Sequence, residues 1–113
     1  MKPIYVAAYH QSKFGNLMAM TVPEIVKNAV EGACREIKVD ASALDVGSIG
    51  SACNMTLNRQ GLLSGLMAEV PGLAAKPLEA VDNACASGGQ AVLSVVQKLL
   101  LGLGDTGIAI GYE

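Results

Sequence analysis

The spacing of apolar residues changes along the chain and predicts strands and helices in alternation. Almost continuously apolar or small-residue runs are typical of strands buried on both faces of a sheet. They occupy residues 4–9, 46–53, 78–82 and 106–111. Apolar residues recur at helical spacing in the intervening segments, residues 21–37, 59–69 and 86–101. Right-handed crossovers in this β-α-β-α-β-α-β order predict an α/β fold, a mainly parallel sheet with helices on both faces.

Two of the predicted helices have distinctive sequences. Thr21 and Glu24 fit a capping box, in which each side chain accepts a hydrogen bond from the backbone N–H of the other residue. Pro23 is tolerated in such a first turn, where its missing N–H would have no partner. The helix at residues 86–101 is apolar around most of its circumference, so we expect it to be buried on most sides.

Composition indicates one folded domain. The 113 residues are enough for one core but not for two. Hydrophobic residues make up 51% and charged residues 16%, which argues against disorder. The net charge is −2 and the eight Lys and Arg residues are scattered. Because binding to phosphates requires clustered positive charge, no nucleic-acid partner is expected.

Signals for export, membranes and metals are missing from the sequence. The apolar run at residues 4–8 is too short for a secretory signal. Polar residues interrupt the longest apolar stretch, residues 91–103, so no membrane partner is expected. Three widely spaced cysteines form neither a disulfide framework nor a zinc site. We therefore expect a cytoplasmic protein without a bound metal.

Several catalytic and nucleotide-binding motifs can be excluded. Residues 102–107 match GxGxxG, but they follow a predicted helix and open a strand, which is the reverse of a dinucleotide-binding site. Neither a GxxxxGK(S/T) phosphate loop nor a GxSxG serine elbow occurs. NAD binding and phosphate-loop chemistry are therefore not expected.

Cys85 stands between the third predicted strand and the last helix. Small residues surround it and form a candidate active-site loop: Asn83, Ala84, Ala86, Ser87 and Gly88. Unpaired N–H groups at a helix N-terminus stabilise negative charge, including that of a tetrahedral intermediate. Sites in parallel sheets also gather at the carboxyl ends of strands. These residues alone leave two interpretations equally open: a nucleophile, or a small buried thiol in a tight turn.

The other titratable residues have simpler interpretations. Cys34 borders the apolar face of the first helix and is expected to be a buried, inert thiol. Cys53 ends the second predicted strand, where either a site or small-residue packing explains it. Some carboxylates lie beside turns or strand ends and are assigned to solvated faces and caps. They are Asp40, Asp45, Asp82, Asp105 and Glu113.

The residues around Cys85 resemble the nucleophile motif of the thiolase superfamily. Ala-Cys-Ala-Ser-Gly-Gly at residues 84–89 precedes an apolar helix, then a Gly-Asp turn at 104–105 and a strand ending in Gly-Tyr-Glu at 111–113. Ser-Lys-Phe-Gly at 12–15 and Arg-Gln at 59–60 are also similar to the family. The resemblance runs the whole length. It is closest to the thiolases proper and to the sterol-carrier-protein-like acetyl-CoA acyltransferases.

This resemblance implies an acyltransferase that uses coenzyme A thioesters as substrates and binds no cofactor permanently. Cys85 would take an acyl group from acyl-CoA as a thioester, and its own backbone N–H would be one donor of an oxyanion hole. Condensation with a second acyl-CoA would follow, or the reverse cleavage of a 3-ketoacyl-CoA. The resemblance also implies a homo-oligomer, a dimer or tetramer, and a second strand that lies between the first and the third.

The chain departs from the family in length. Members are several times longer and consist of two similar halves. Their activating His and second catalytic Cys lie in Gly-His-Pro and Cys-x-Gly segments, which residues 1–113 lack. The resemblance therefore implies a partial N-terminal domain, residues 1–113, without the C-terminal half and inactive alone. His10 is the only histidine, and we expect it to be a surface loop residue.

Two alternatives remain open. A ketosynthase that acts on acyl-carrier protein would share the cysteine, although such enzymes more often have Ala-Cys-Ser-Ser or Ala-Cys-Ala-Gly/Thr around it. A truncated, non-catalytic module that self-associates is the second alternative. It would follow from the helix at residues 86–101, because half a fold leaves one apolar face of this helix bare.

Overall fold

Three parallel strands form a single sheet that lies between the helices. The computed structural model describes residues 1–113, and its strands are β1 (Val46–Gly50), β2 (Leu78–Val81) and β3 (Gly107–Gly111). The order is β2-β1-β3, and both neighbours run parallel to β1. The α/β class with a parallel sheet is therefore confirmed. The expected strand order is wrong, because β1, the second predicted strand, lies between the third and the fourth.

Helices cover both faces of the sheet, as predicted. They are α1 (Val22–Glu36), α2 (Asn54–Asn58), α3 (Leu63–Ala68) and α4 (Ser87–Leu100), with a short 3-10 turn at Ala41–Ala43 before β1. Successive residues of a strand point to opposite faces. Ile49 accordingly lies in the core formed with α1 and α3, whereas Val46 packs against Val95 of α4.

The larger core lies between α1, α3 and the sheet. Six of its side chains are at most 1% exposed: Val26, Val30, Ile49, Leu63, Met67 and Leu73. Val26 and Val30 are four residues apart on one face of α1, which is the helical spacing that places two side chains against the same neighbour. Full burial of such a side chain contributes about 1.5–3 kcal/mol, so each member of this cluster stabilises the packing of α1 and α3 on the sheet.

The start of α1 is the predicted capping box. The backbone N–H of Thr21 donates to the Glu24 carboxylate (2.7 Å), and the backbone N–H of Glu24 donates to the Thr21 hydroxyl (3.3 Å). The two hydrogen bonds with Thr21 lower the pKa of Glu24. Pro23 lies in the first turn. A purely local pattern of residues thus fixed the position of this helix.

Residues 4–9 do not form a strand, contrary to the prediction. Their backbone makes no ladder with β1, β2 or β3. Tyr5, Val6 and Tyr9 are mostly exposed, and only Ile4 packs against the apolar cluster on the α4 face. A run of β-forming residues becomes a strand only beside a partner, and no strand of this chain pairs with the run.

The predicted helix at residues 59–69 is shorter and begins later. α2 ends at Asn58, and Arg59 adopts a left-handed conformation with φ of 52°. A left-handed residue ends an α-helix, because the hydrogen-bond pattern cannot continue through it. The helix that replaces the predicted one, α3, therefore starts only at Leu63.

α4 is buried on one side only, so the expected burial on most sides is wrong for this chain. Ala91, Val95 and Leu99 are buried against the sheet, whereas Val92 and Leu93 are about half exposed, at 52% and 49%. The side that faces away from the sheet carries large apolar side chains without a cover. The spacing of apolar residues predicted the helix correctly, but it did not predict which of its faces are covered by other elements.

The turn from α4 into β3 is held by Asp45. The Asp45 carboxylate accepts the N–H groups of Asp105 (2.8 Å) and Thr106 (3.1 Å). These hydrogen bonds, with Asp105 the strongest cause, lower the pKa of Asp45. The GxGxxG segment lies in this helix-to-strand turn, as expected, and Gly102 supplies its left-handed residue with φ of 79°.

Candidate functional site

The carboxyl ends of the three strands lead to a cluster of chemically active side chains. Cys53 follows β1, Cys85 follows β2 and Glu113 follows β3. Because parallel strands point the same way, their carboxyl ends share one edge of the sheet, where sites of such folds lie. We call these three residues, together with the turn at residues 82–88, the strand-end site.

A tight turn carries Cys85 from β2 into α4. Ala84 has φ of 48°, a left-handed conformation that is uncommon for a residue other than glycine. The Asp82 carboxylate accepts the N–H of Ala84 (2.9 Å), and the carbonyl of Asn83 accepts the N–H of Ala86 (2.9 Å). These bonds hold the turn in its strained conformation. They leave the Cys85 side chain exposed, so the alternative of a buried thiol does not describe this cysteine.

Ser87 is the buried member of this loop, only 3% exposed. Its hydroxyl accepts the N–H of Asn83 (2.8 Å) and donates to the carbonyl of Ala84 (2.7 Å). The hydroxyl therefore ties the first turn of α4 to the start of the loop. Because both bonds are internal, Ser87 supports the conformation of the turn.

Three backbone N–H groups in the Cys85 turn and at the start of α4 have no acceptor in the chain. The N–H groups of Cys85, Gly88 and Gly89 donate to no other group of the chain, and no side chain caps α4. The first N–H groups of a helix have no intrahelical partner, and the positive end of the helix dipole favours negative charge there. The turn that carries Cys85 therefore also carries free donors for an anion.

The N-terminus of α4 rests directly on the sheet because small residues face each other there. A Cβ atom on Gly50 would lie 2.1 Å from the carbonyl oxygen of Ser87. A Cβ on Gly88 would lie 3.9 Å from the Cα of Gly111. This close approach places the Cys85 turn over the end of β1.

Glu113 fixes the segment that follows β1. Its carboxylate accepts the N–H groups of Ala52 (2.6 Å) and Cys53 (3.0 Å). The same negative charge is the largest cause that raises the pKa of the Cys53 thiol; loss of hydration also raises it. The Cys53 thiol therefore stays protonated at neutral pH.

Cys53 and Cys85 influence each other electrostatically. A negative charge on Cys85 is one of the smaller causes that raise the pKa of Cys53. Coulomb energy falls with distance, and the two cysteines follow neighbouring parallel strands, β1 and β2. Both are exposed and unbridged.

Cys34 and His10 are not part of the strand-end site. Cys34 is buried in α1, and burial is the main cause that raises its pKa, with smaller effects from the Asp40 and Glu31 carboxylates. This fits the expected inert thiol. The ring of His10 packs against Gly32 of α1, where a Cβ would lie 2.4 Å from the ring. His10 is exposed, as expected for a loop residue.

Reasoning from the sequence missed the role of Glu113 and its contact with Cys53. The sequence pattern assigned Glu113 to a solvated face or a cap, and left Cys53 open between a site and packing. The order of the predicted strands could have placed Glu113 near Cys53. Cys53 ends one predicted strand and Glu113 follows another, and parallel strands bring such residues to one edge of the sheet.

Other features of the chain lie away from Cys85. One concavity of about 140 Å³ lies beside Lys27 and Glu69, and another of about 220 Å³ lies beside Cys34 and Arg35; neither includes Cys85. No three His, Cys, Asp or Glu side chains are grouped so that they could hold a metal ion. None of the helices is both long enough and apolar enough to cross a membrane.

Known proteins with similar sequences agree with this architecture. Residues 4–113 match the family described as thiolase, N-terminal domain. The acetyl-CoA acetyltransferase of Methanothermobacter thermautotrophicus is 32% identical over 113 residues, and that of Methanocaldococcus jannaschii is 27% identical. Both comparisons cover 100% of this chain but only 30% and 29% of those relatives. The chain thus spans under a third of their length, and it belongs to the thiolase family, whose N-terminal domain it matches.

Proposed function

We propose that the chain carries the nucleophile of a thiolase-type acyltransferase, Cys85. The observation that supports this most strongly is an exposed thiol after a strand end, in a strand-to-helix connection where three backbone N–H groups make no hydrogen bond within the chain. Both relatives are named acetyl-CoA acetyltransferase, which favours an acyl-CoA over an acyl-carrier protein as the substrate. The proposed reaction is the transfer of an acyl group from coenzyme A to Cys85.

In the proposed first step, the thiolate of Cys85 attacks the thioester carbonyl of an acyl-CoA. A bond forms between this sulfur and the carbonyl carbon, and the carbonyl oxygen takes the negative charge of a tetrahedral intermediate. The bond to the sulfur of coenzyme A then breaks, and coenzyme A leaves with the proton that Cys85 gave up. The acyl group remains on Cys85 as a thioester, available for condensation with a second acyl-CoA. In the reverse direction, cleavage of a 3-ketoacyl-CoA would load the same cysteine.

The backbone N–H of Cys85 is the proposed donor to the oxyanion. Removing one such donor costs about 2.7–4 kcal/mol of transition-state stabilisation in enzymes of this chemistry. The neighbouring N–H groups of Gly88 and Gly89 are free as well. Ala84 and Ala86 add little bulk beside the thiol, so a thioester has room to approach.

Activation of Cys85 is proposed to need a base from outside these residues. The one histidine, His10, packs against α1, and Glu113 is occupied by the N–H groups of Ala52 and Cys53. We therefore expect residues 1–113 to complete at most the acylation step, slowly, and not the full catalytic cycle.

Mass spectrometry of the chain after incubation with acetyl-CoA tests this proposal. We expect the added mass of one acetyl group, mapped to the peptide that contains Cys85 and removed by hydroxylamine as a thioester would be. Cys34 and Cys53 are internal controls, because raised pKa values make their thiols weaker nucleophiles at neutral pH. Acetyl groups on lysines or on Cys53, with none on Cys85, would contradict the proposal.

We also propose that the protein self-associates through its uncovered surfaces. Leu93 and Leu101 of the α4 region are exposed, and β2 is an edge strand with one unpaired side. Exposed apolar patches and open edge strands both favour association.

Light scattering over a range of concentrations should show dimers or larger species, and Leu93→Lys should shift them towards the monomer. Asn28→Lys, at an exposed position of α1, is the control; a parent chain that is monomeric throughout would contradict the proposal.

A further inference from the structure

The segments that carry Cys53 and Cys85 leave the sheet side by side. β1 and β2 are paired up to their last residues, Gly50 beside Val81. The N–H of Ser51 still donates to the carbonyl of Val81 (3.2 Å), one position further on. Neighbouring strands lie about 4.8 Å apart, and Cys53 and Cys85 follow this last pair by three and four residues. A disulfide requires their Cα atoms to lie roughly 4.4–6.8 Å apart.

Beyond the strands, separate contacts fix the position of each segment. The carbonyl of Ser87 lies directly over Gly50, so the turn that carries Cys85 bends back over the end of β1. Glu113, which follows the opposite neighbour β3, holds the N–H groups of Ala52 and Cys53 and so fixes the position of that segment. Both thiols are exposed, and the charge of Cys85 is one of the smaller causes that raise the pKa of Cys53.

We propose that Cys53 and Cys85 form a redox modification site, in which Cys53 resolves the oxidised form of Cys85 as an intramolecular disulfide. This concerns the same Cys85 as the proposed function, but it requires no acyl transfer and stands on the contacts of the strand-end site alone.

The oxidant in the proposed chemistry is a hydroperoxide, hydrogen peroxide in the simplest case. The thiolate of Cys85 attacks one oxygen, the O–O bond breaks, and the products are a sulfenic acid and a hydroxide that takes up the proton released by Cys85. The sulfur of Cys53 then attacks the sulfur of the sulfenic acid. The S–S bond forms as the S–O bond breaks, and the leaving hydroxide takes the proton of Cys53. Two thiols and one peroxide thus give one disulfide and two water molecules.

Formation of this disulfide would have a protective consequence. A sulfenic acid that meets no second thiol proceeds to the sulfinic and sulfonic acids, which are generally irreversible, whereas a disulfide is restored by thiol reductants. The oxidised chain would hold Cys85 in an unreactive form. Reduction would return both thiols.

The test is oxidation of the dilute chain with one equivalent of hydrogen peroxide, followed by alkylation of the remaining thiols. We expect a loss of two hydrogens in the intact mass, one alkylated residue, Cys34, and a Cys53–Cys85 link in the peptide map. A reductant should reverse the link. In Cys53→Ser, Cys85 should instead accumulate as a sulfenic acid that dimedone traps, whereas Cys34→Ala should form the link as the parent does.

Three results would overturn the proposal: a link that involves Cys34, links only between separate chains, or trapping of Cys85 by dimedone to the same extent in the parent and in Cys53→Ser. Labelling of the reduced chain with acetyl-CoA, measured in parallel, separates this inference from the proposed function. A chain that forms the Cys53–Cys85 link but takes no acetyl group supports the disulfide and contradicts the acyltransferase. A chain that is acetylated but forms no link supports the acyltransferase and contradicts the disulfide.

Discussion

A chain in which Cys85 is replaced by Ala is expected to take up no acetyl group from acetyl-CoA, whereas the parent takes up one. The thiol is the proposed attacking atom, and the two remaining cysteines are poor substitutes. Burial raises the pKa of Cys34, and the Glu113 carboxylate raises that of Cys53, so both remain protonated at neutral pH. Intact-mass measurement over time gives the acetylated fraction of each chain.

The matched controls are Cys34→Ala and Cys53→Ala, which should keep the acetyl adduct. Cys85 is exposed, and surface substitutions usually change stability by no more than about 0.5 kcal/mol. The urea midpoint of Cys85→Ala should therefore equal that of the parent, which rules out unfolding as the cause. Equal adduct formation in Cys85→Ala and the parent would disprove the assignment of the nucleophile.

Gly50→Ala is expected to reduce both the stability of the fold and the acetylation of Cys85. The new Cβ would lie 2.1 Å from the carbonyl oxygen of Ser87 and 2.5 Å from its carbonyl carbon. Both atoms belong to the backbone, so the clash can be relieved only by moving α4 or β1. Overpacking of this kind costs about 1–3 kcal/mol, and occasionally more. Urea unfolding measures the loss, and acetyl-CoA labelling reports the displacement of the Cys85 turn.

Gly89→Ala is the control for this change. A Cβ at Gly89 meets no atom within 4 Å, and alanine in a helix is favoured over glycine by about 0.5–1 kcal/mol. This variant should be as stable as the parent or slightly more stable. If Gly50→Ala unfolds at the same urea concentration as the parent, the carbonyl of Ser87 does not pack closely against Gly50.

Features that depend on neighbouring residues could be predicted from the sequence. The capping box of Thr21 and Glu24 fixed the start of α1, and the small residues around Cys85 located the strand-to-helix turn. Both signals act over a few positions, because caps and tight turns are satisfied by side chains and backbone groups nearby. Arg59, by contrast, ended α2 in a conformation that no local pattern announced.

Features that depend on distant partners could not be predicted. The run at residues 4–9 has strand-forming residues, yet strand formation requires a neighbour, and the sheet of this chain gives it none. The apolar residues of α4 gave its helical period, but whether Val92 and Leu93 are covered depends on what else is packed there. Propensity is a weak guide wherever tertiary contacts decide.

The strand-end site was predicted only in part for the same reason. Cys85 and its loop stand out within ten residues of sequence. The bond from Ala52 to Glu113 joins residues that are 61 positions apart, and no periodicity connects them. Only the topology of a parallel sheet, in which strand ends share an edge, brings Cys53 and Glu113 to Cys85.

The clamp from Glu113 to Ala52 also makes the strand-end site a late product of folding. Closing a loop of 61 positions costs chain entropy before any contact offsets it, and such long-range contacts form slowly. β1 likewise has no strand to pair with until later residues are made, because both of its neighbours follow it in the chain. During synthesis, therefore, the segment that holds Cys53 gains its anchor only when residue 113 has left the ribosome. The clamp on the Cys53 segment therefore cannot form before all four helices have been synthesised.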